Sequence, residues 1–221
     1  MSKVGTADIT SIMLGSTEIN KAYLGSDIMY QKNVPLPYDA EIEYLESTGT
    51  QYIDLGAKAT LSTTIEIDFF VADASAIRVF GARSGWNRNA FCLTFNSASD
   101  TRATINYDNI GKSSDLVFDV YLDDGNWHTA KSKGSGHIQV DSISRNLSAS
   151  SFTTPYNIIL FAYNNNGTKL YGKIRIRRVK FNSFDLIPVR IGQVGYMYDK
   201  VSGQLFGNAG TGNFTLGSDK N

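Results

Sequence analysis

From Thr63 to Val71 the chain alternates strictly, with Ile65, Ile67, Phe69 and Val71 at one parity and Thr64, Glu66, Asp68 and Phe70 at the other. A period of two marks a strand with one face in a core and the other toward water. Residues 76–82, 90–95 and 103–107 continue the series, with Gly, Asn, Ser or Asp between them, and Leu116, Phe118, Val120 and Leu122 form another inward face. The run NIILFAY, 157–163, is apolar at both parities and predicts a central strand covered on both sides. Further on, Ile174 and Ile176 share one parity while Val179 and Phe181 share the other. One extra residue near Arg177-Arg178 keeps all four side chains in the core, as a β-bulge does. No stretch holds a 3.6-residue period with helix caps, so the pattern predicts an all-β chain of two packed antiparallel sheets.

Residues 121–140, YLDDGNWHTAKSKGSGHIQV, read as two strands with a hairpin turn at Asp124-Gly125 and a reversal at Lys133-Gly134-Ser135-Gly136. Trp127, Thr129 and Lys131 alternate with His128, Ala130 and Ser132. The tryptophan is taken as the core anchor and His128 as its outward neighbour. DGNWHTAKSKGSGHIQVD resembles the strand-turn-strand of laminin-G-like and concanavalin-A-like jelly rolls, which implies a two-sheet antiparallel jelly-roll sandwich over residues 40–221. Fold likeness of this kind names no ligand.

Residues 1–33 form a segment apart. Short apolar runs at 9–14, 18–24 and 27–30 are separated by Leu-Gly-Ser at 14–16 and again at 24–26, which predicts three very short strands joined by glycine turns. A ribbon this small is marginal in water without a surface to pack on. That surface is its own sandwich or another protein. ITSIMLGSTEINKAYLGSDIMYQ resembles the N-terminal β module of many phage virion proteins, which implies a docking function for Ile12, Leu14, Tyr23, Leu24, Ile28 and Tyr30. Residues 34–39 follow as a linker, stiffened by Pro35 and Pro37. Two more stretches, YLESTGTQYID at 44–54 and the closing IPVRIGQVGYMYDKVSGQLFGNAGTGNFTLG at 187–217, resemble jelly rolls encoded by phages and gut bacteria.

Composition narrows the function classes. In 221 residues there are 21 Lys+Arg and 21 Asp+Glu, a formal net charge of zero, which argues against a nucleic-acid binder. The single cysteine, Cys92, sits in the apolar run Ala90-Phe91-Cys92-Leu93 and reads as a packed thiol. Twenty glycines, twelve tyrosines and twelve phenylalanines against four prolines suit a β protein with many turns. With no membrane-span-sized apolar run and no apolar signal after Lys3, a chain made and kept in the cytoplasm until assembly is expected.

Chemistry is sparse. Some concanavalin-A-like glycosidases carry a Glu-x-Asp-x-x-Glu strand, and Glu41, Glu43 and Glu46 approach that spacing. Glu41 and Glu43 share a face on a regular strand but Glu46 does not, so no enzyme is expected. His128 and His137 have no second ligand at metal spacing. Asp123 and Asp124, with Asn164, Asn165 and Asn166, are weak calcium candidates in loops that use Asp and Asn for turns anyway; no other cofactor is implied. Arg175, Arg177, Arg178, Lys180 and Arg190 read as a solvated stripe. GNAGTGNF, 207–214, lacks the features of a phosphate loop and reads as a turn. For a host-surface glycan, an aromatic beside amides is the useful pattern, and it occurs at Trp86, Asn87 and Arg88 and again at Tyr163 and Asn164. The resemblances imply a non-enzymatic virion accessory protein, with capsid or tail proteins as partners, no nucleic acid and a homo-oligomer left open. The alternative is a carbohydrate-binding surface or secreted protein of a gut bacterium.

Overall fold

The computed structural model describes residues 3–4, 7–8, 11–24, 27–31, 35–85, 88–97, 99–108, 117–147 and 150–220. Leu116 therefore lies outside the described residues. The chain divides into two compact units, Met1–Pro37 and Tyr38–Asn221.

The described residues of the first unit form three two-stranded antiparallel ladders: Lys3–Val4 with Ala7–Asp8, Ile12–Leu14 with Thr17–Ile19, and Lys21–Leu24 with Asp27–Gln31. The stretch 18–24, expected as one strand, is split by a bend at Asn20 into halves with different partners. Each half pairs with its nearest neighbour in sequence, the pairing with the smallest loop-closure cost. Gly15, at φ 62°, makes the tight turn of the middle hairpin. At residues 11–20, Ala22 and 35–37, where side-chain exposure is described, nothing is buried. Met13 and Leu14 are 52% and 74% exposed.

The second unit is a β-sandwich. Its larger sheet runs Ile143–Asn146, His137–Val140, Trp127–Lys133, Thr64–Val71, Ile174–Phe181, Phe184–Ile191, Val194–Asp199 and Leu205–Phe206, with Ala40–Glu41, Leu45–Glu46 and Thr215–Leu216 paired off this path. The other sheet runs Val117–Tyr121, Asp100–Asp108, Ala90–Ser97, Arg78–Arg83, Ile159–Leu160 and Ile53–Asp54, with Ala162–Asn165 and Thr168–Tyr171 beside them. Between the sheets lies one core, in which Ile65, Ile67 and Phe69 are buried together with Phe80, Phe91 and Ile105. Close packing of this sort makes each core ring worth several kcal/mol.

The bulge forms where the parity change placed it. Asp68 pairs with Arg178 but Phe69 pairs with Ile176, so Arg177 is the extra residue, and Ile174, Ile176, Val179 and Phe181 are all fully buried. The strand expected over 157–163 does not run through. Its residues from Ile158 to Tyr163 are buried, but Phe161 adopts φ 65° and separates Ile159–Leu160 from Ala162–Asn165. The first piece pairs antiparallel with Arg78–Arg83 and the second pairs parallel with the same strand, so the kink lets one strand be covered twice. A left-handed phenylalanine costs about 1–3 kcal/mol. Here the Phe161 amide donates to Val79 O at 2.9 Å, its carbonyl accepts from Gly172 N at 2.7 Å, and its ring lies 4.7 Å from that of Phe214.

The two ends of the sandwich lie side by side. Glu43 N donates to Ser218 O, Gly217 N to Tyr44 O and Lys220 N to Glu41 O, each at 2.9 Å. Tyr38 and Asp39, read as the end of the linker, belong to this unit: Asp39 N donates to Arg190 O at 2.9 Å and the Tyr38 ring meets Tyr198 at 5.0 Å. The glycine-rich 207–214 is a turn laid against 50–52, with Ala209 N donating to Tyr52 O and Thr211 N to Thr50 O.

Candidate binding groove on the outer sheet face

One sequence expectation is inverted in a way that makes a site. Trp127–Lys133 pairs with Thr64–Val71 so that Phe69 faces His128 and Phe70 faces Trp127. Cross-strand partners share a face. The parity that carries Phe69 into the core therefore carries His128 inward, to 2% exposure, and Trp127 stands half-buried on the outer face with Phe70. Bulk alone had suggested the reverse.

On that outer face the Trp127 ring lies 5.8 Å from Phe70 and 6.2 Å from Tyr44. Tyr44 is brought there by Leu45–Glu46, which takes up the ladder beside Arg175 and Ile176. Two guanidiniums lie on these rings: Arg177 Cζ is 4.6 Å from the Trp127 centroid, and Arg175 Cζ is 4.6 Å from Tyr44 and 5.1 Å from Phe70. The bulge is what turns Arg177 and Arg178, adjacent in sequence, both to the outside. Glu43, Asp68 and Lys220 complete the rim of an open groove of about 450 Å³.

Each guanidinium is oriented by a carboxylate. Arg175 Nε donates to Glu46 Oε2 at 2.5 Å, Arg177 Nε lies 3.6 Å from Asp68 Oδ2, and Arg178 Nη2 is 3.3 Å from Asp185 Oδ1. Asp68 is itself fixed by the Thr129 hydroxyl at 2.7 Å. Exposed ion pairs of this kind contribute about 0–1 kcal/mol each, and cation–π contacts a similar amount. Their effect here is orientation more than stability. The sequence did hold one signal of the groove: Phe70 is the lone aromatic on the polar parity of its strand.

The other candidates fall elsewhere. Trp86 and Asn87 lie outside the described residues; Arg88 is exposed, and its carbonyl accepts from Ser84 N at 3.0 Å. Tyr163 and Asn164 are buried, not presented to a ligand: the Tyr163 hydroxyl accepts from Arg83 Nη2 at 3.0 Å, and Asn164 Oδ1 accepts from Gly167 N at 2.7 Å to close a turn. The strand kink at Phe161, invisible in the sequence, is what turns them inward. Of the calcium candidates, Asp123 accepts from the Thr101 hydroxyl at 2.5 Å, and Asp124 caps its turn through Asn126 N at 2.8 Å; the Asn126 side chain first, and then this amide and His128, hold the Asp124 carboxyl below the ordinary range. Among the described residues no group of three or more His, Cys, Asp or Glu is placed to hold a metal.

The three glutamates are dispersed. Glu41 accepts from the Tyr38 hydroxyl at 3.3 Å, Glu43 is exposed at the groove rim, and Glu46 is engaged by Arg175. Glu41 and Glu43 flank buried Ile42, which bridges Asp219, while Glu46 lies beyond them on Leu45–Glu46. Buried His128 is clamped: Nδ1 lies 2.9 Å from Asp141 Oδ2, and Nε2 lies 3.2 Å from Asp124 Oδ1 without hydrogen-bond geometry. His137 Nδ1 is 2.8 Å from Asn146 Oδ1. Cys92 is fully buried, and burial pushes its thiol up to about 12.

Of the docking residues, Ile12 is half-buried and Leu14 exposed. Tyr23, Leu24, Ile28 and Tyr30 lie on the strands of the third hairpin, and their side chains fall outside the described part. Among the described residues no helix is long and apolar enough to cross a membrane. No protein-family model matches the chain, and a search of curated proteins returns no match.

Proposed function

We propose that this chain is a non-enzymatic bacteriophage virion accessory protein that docks through residues 1–33 on a capsid or tail partner and displays a laminin-G-like jelly roll. The observation that carries this reading is the first unit itself, hairpins whose described side chains include no buried residue and expose Met13 and Leu14. Isolated two-stranded ladders need another surface to be stable. The likeness of 9–31 to phage docking modules and of 187–217 to phage-encoded jelly rolls supports the same assignment. Mass spectrometry of purified virions is the test: the full chain is incorporated, and a chain lacking residues 1–33 is not. Stable incorporation of the truncated chain defeats the proposal.

A second reading, a carbohydrate-binding surface or secreted protein of a gut bacterium, is favoured by the aromatic groove around Trp127. Glycan binding that Trp127→Ala abolishes, together with absence of the protein from virions, selects it.

A further inference from the structure

We infer that the Trp127 groove binds a sugar through a single carboxylate, with Arg177 as the principal contact. This rests on the groove alone and is independent of where the protein resides. The orienting contacts of Arg175 and Arg177 both run through Nε. Among the described residues neither their Nη groups nor Lys220 Nζ donates to an acceptor, so the unspent donors of the groove are cationic. Guanidinium edges of this kind accept a carboxylate in a two-point fork.

The charge balance decides how much anion the groove can take. Around it, Arg175, Arg177, Arg178 and Lys220 are matched by Glu43, Glu46, Asp68 and Asp185. With no net field, a polyanion gains nothing from long-range attraction, and recognition has to come from short-range hydrogen bonds to one charged group. The rings supply the rest. Tyr44, Phe70 and Trp127 give an apolar floor for the C–H face of a pyranose, and a groove of about 450 Å³ accommodates a mono- or disaccharide. Arg177 is the residue to alter, because its side chain is 45% exposed and, as the bulge residue, it has no cross-strand partner in Thr64–Val71.

The experiment titrates the full chain with sialyllactose and with digalacturonate, two sources of a carboxylated sugar, against lactose, a heparin tetrasaccharide and a triglutamate peptide. The indole N–H signals of Trp127 and Trp86 are followed by NMR, distinguished with Trp86→Phe. At least one carboxylated sugar shifts the Trp127 signal saturably, while lactose, heparin and triglutamate bind more weakly by about tenfold or more. Arg177→Gln and Arg177→Lys each weaken binding at least about tenfold, since lysine keeps the charge but not the fork. Lys220→Gln, at an exposed position, weakens it in the same direction, and Lys180→Gln leaves it unchanged. The inference is overturned by no binding of either carboxylated sugar at about 10 mM, by equal binding of lactose, heparin or triglutamate, by a shift of Trp86 alone, or by folded Arg177 and Lys220 variants that bind like the parent.

Discussion

The two units of this chain are built from the same local signals and end in opposite states. Both use short apolar strands and glycine turns. In the sandwich those strands find partners far away in sequence: Thr64–Val71 is flanked by Trp127–Lys133 and Ile174–Phe181, and the apolar faces close over one core. Among the described part of residues 1–37 every ladder joins neighbours in sequence, and no described side chain is buried. Backbone hydrogen bonding alone nets little over what water supplies, so the apolar area removed from water is what stabilises the sandwich. The difference teaches that shared local signals make a core only where strands distant in sequence bring their apolar faces together.

The largest test of that division is Phe69→Ala. It empties the centre of the sandwich and is expected to cost about 3–5 kcal/mol in chemical denaturation; a loss under about 1 kcal/mol would mean that the core is not where stability resides. Next comes Asp199, fully buried, whose carboxylate accepts from Asp185 N at 2.8 Å, Val201 N at 3.2 Å, and both the amide and hydroxyl of Ser202 at 3.0 and 2.5 Å. Burial pushes this carboxyl up, but the Ser202 hydroxyl and the three amides more than offset it and hold it below its ordinary value. A depressed folded-state value contributes stability at pH above the unfolded value of about 3.9, and that contribution is lost as pH falls through the folded value. Asp199→Asn is therefore expected to cost about 2–3 kcal/mol at neutral pH and less in acid, with melting curves from pH 7 to pH 2 as the measurement.

A smaller effect sharpens the register within the sandwich. His128→Ala removes the buried partner of Asp141 and is expected to cost about 2 kcal/mol, whereas Trp127→Ala costs about 1 despite the larger side chain. The opposite order would return the tryptophan to the core. Smallest of all are changes in the first unit. Deleting residues 1–33 should leave the sandwich melting within about 2 °C of the full chain. Leu14→Asp should change stability by less than about 0.5 kcal/mol while reducing incorporation into virions, measured in the same particles as the deletion.

Much of the sandwich was legible because a half-buried strand writes its two faces into the residue order. Ile65, Ile67, Phe69 and Val71 announced their core face, and the parity change after Ile176 announced a bulge that the ladder places at Arg177. Inside the closing stretch, the side chains of Asp199 and Ser202 build the turn after Val194–Asp199, in keeping with the turn residues read there. The kink at Phe161 left no trace, because nothing in a run of apolar residues records a single left-handed φ. The split at Asn20 was equally silent, since local pairing of 17–19 and 21–24 competes with a single strand at nearly equal cost.

The groove shows most clearly where sequence ends and tertiary structure begins. By itself the sequence determined that residues 127–133 form a strand with two unlike faces, and that Phe70, Arg175 and Arg177 lie on strands. Which face of Trp127–Lys133 turns inward was decided only by its pairing with Thr64–Val71, because a period of two is symmetric and a one-residue change of register exchanges the faces. Once Phe69 fixed that register, His128 went under and Trp127 came out. The bulge and the paired chain ends then gathered the arginines, Tyr44 and Lys220 around it.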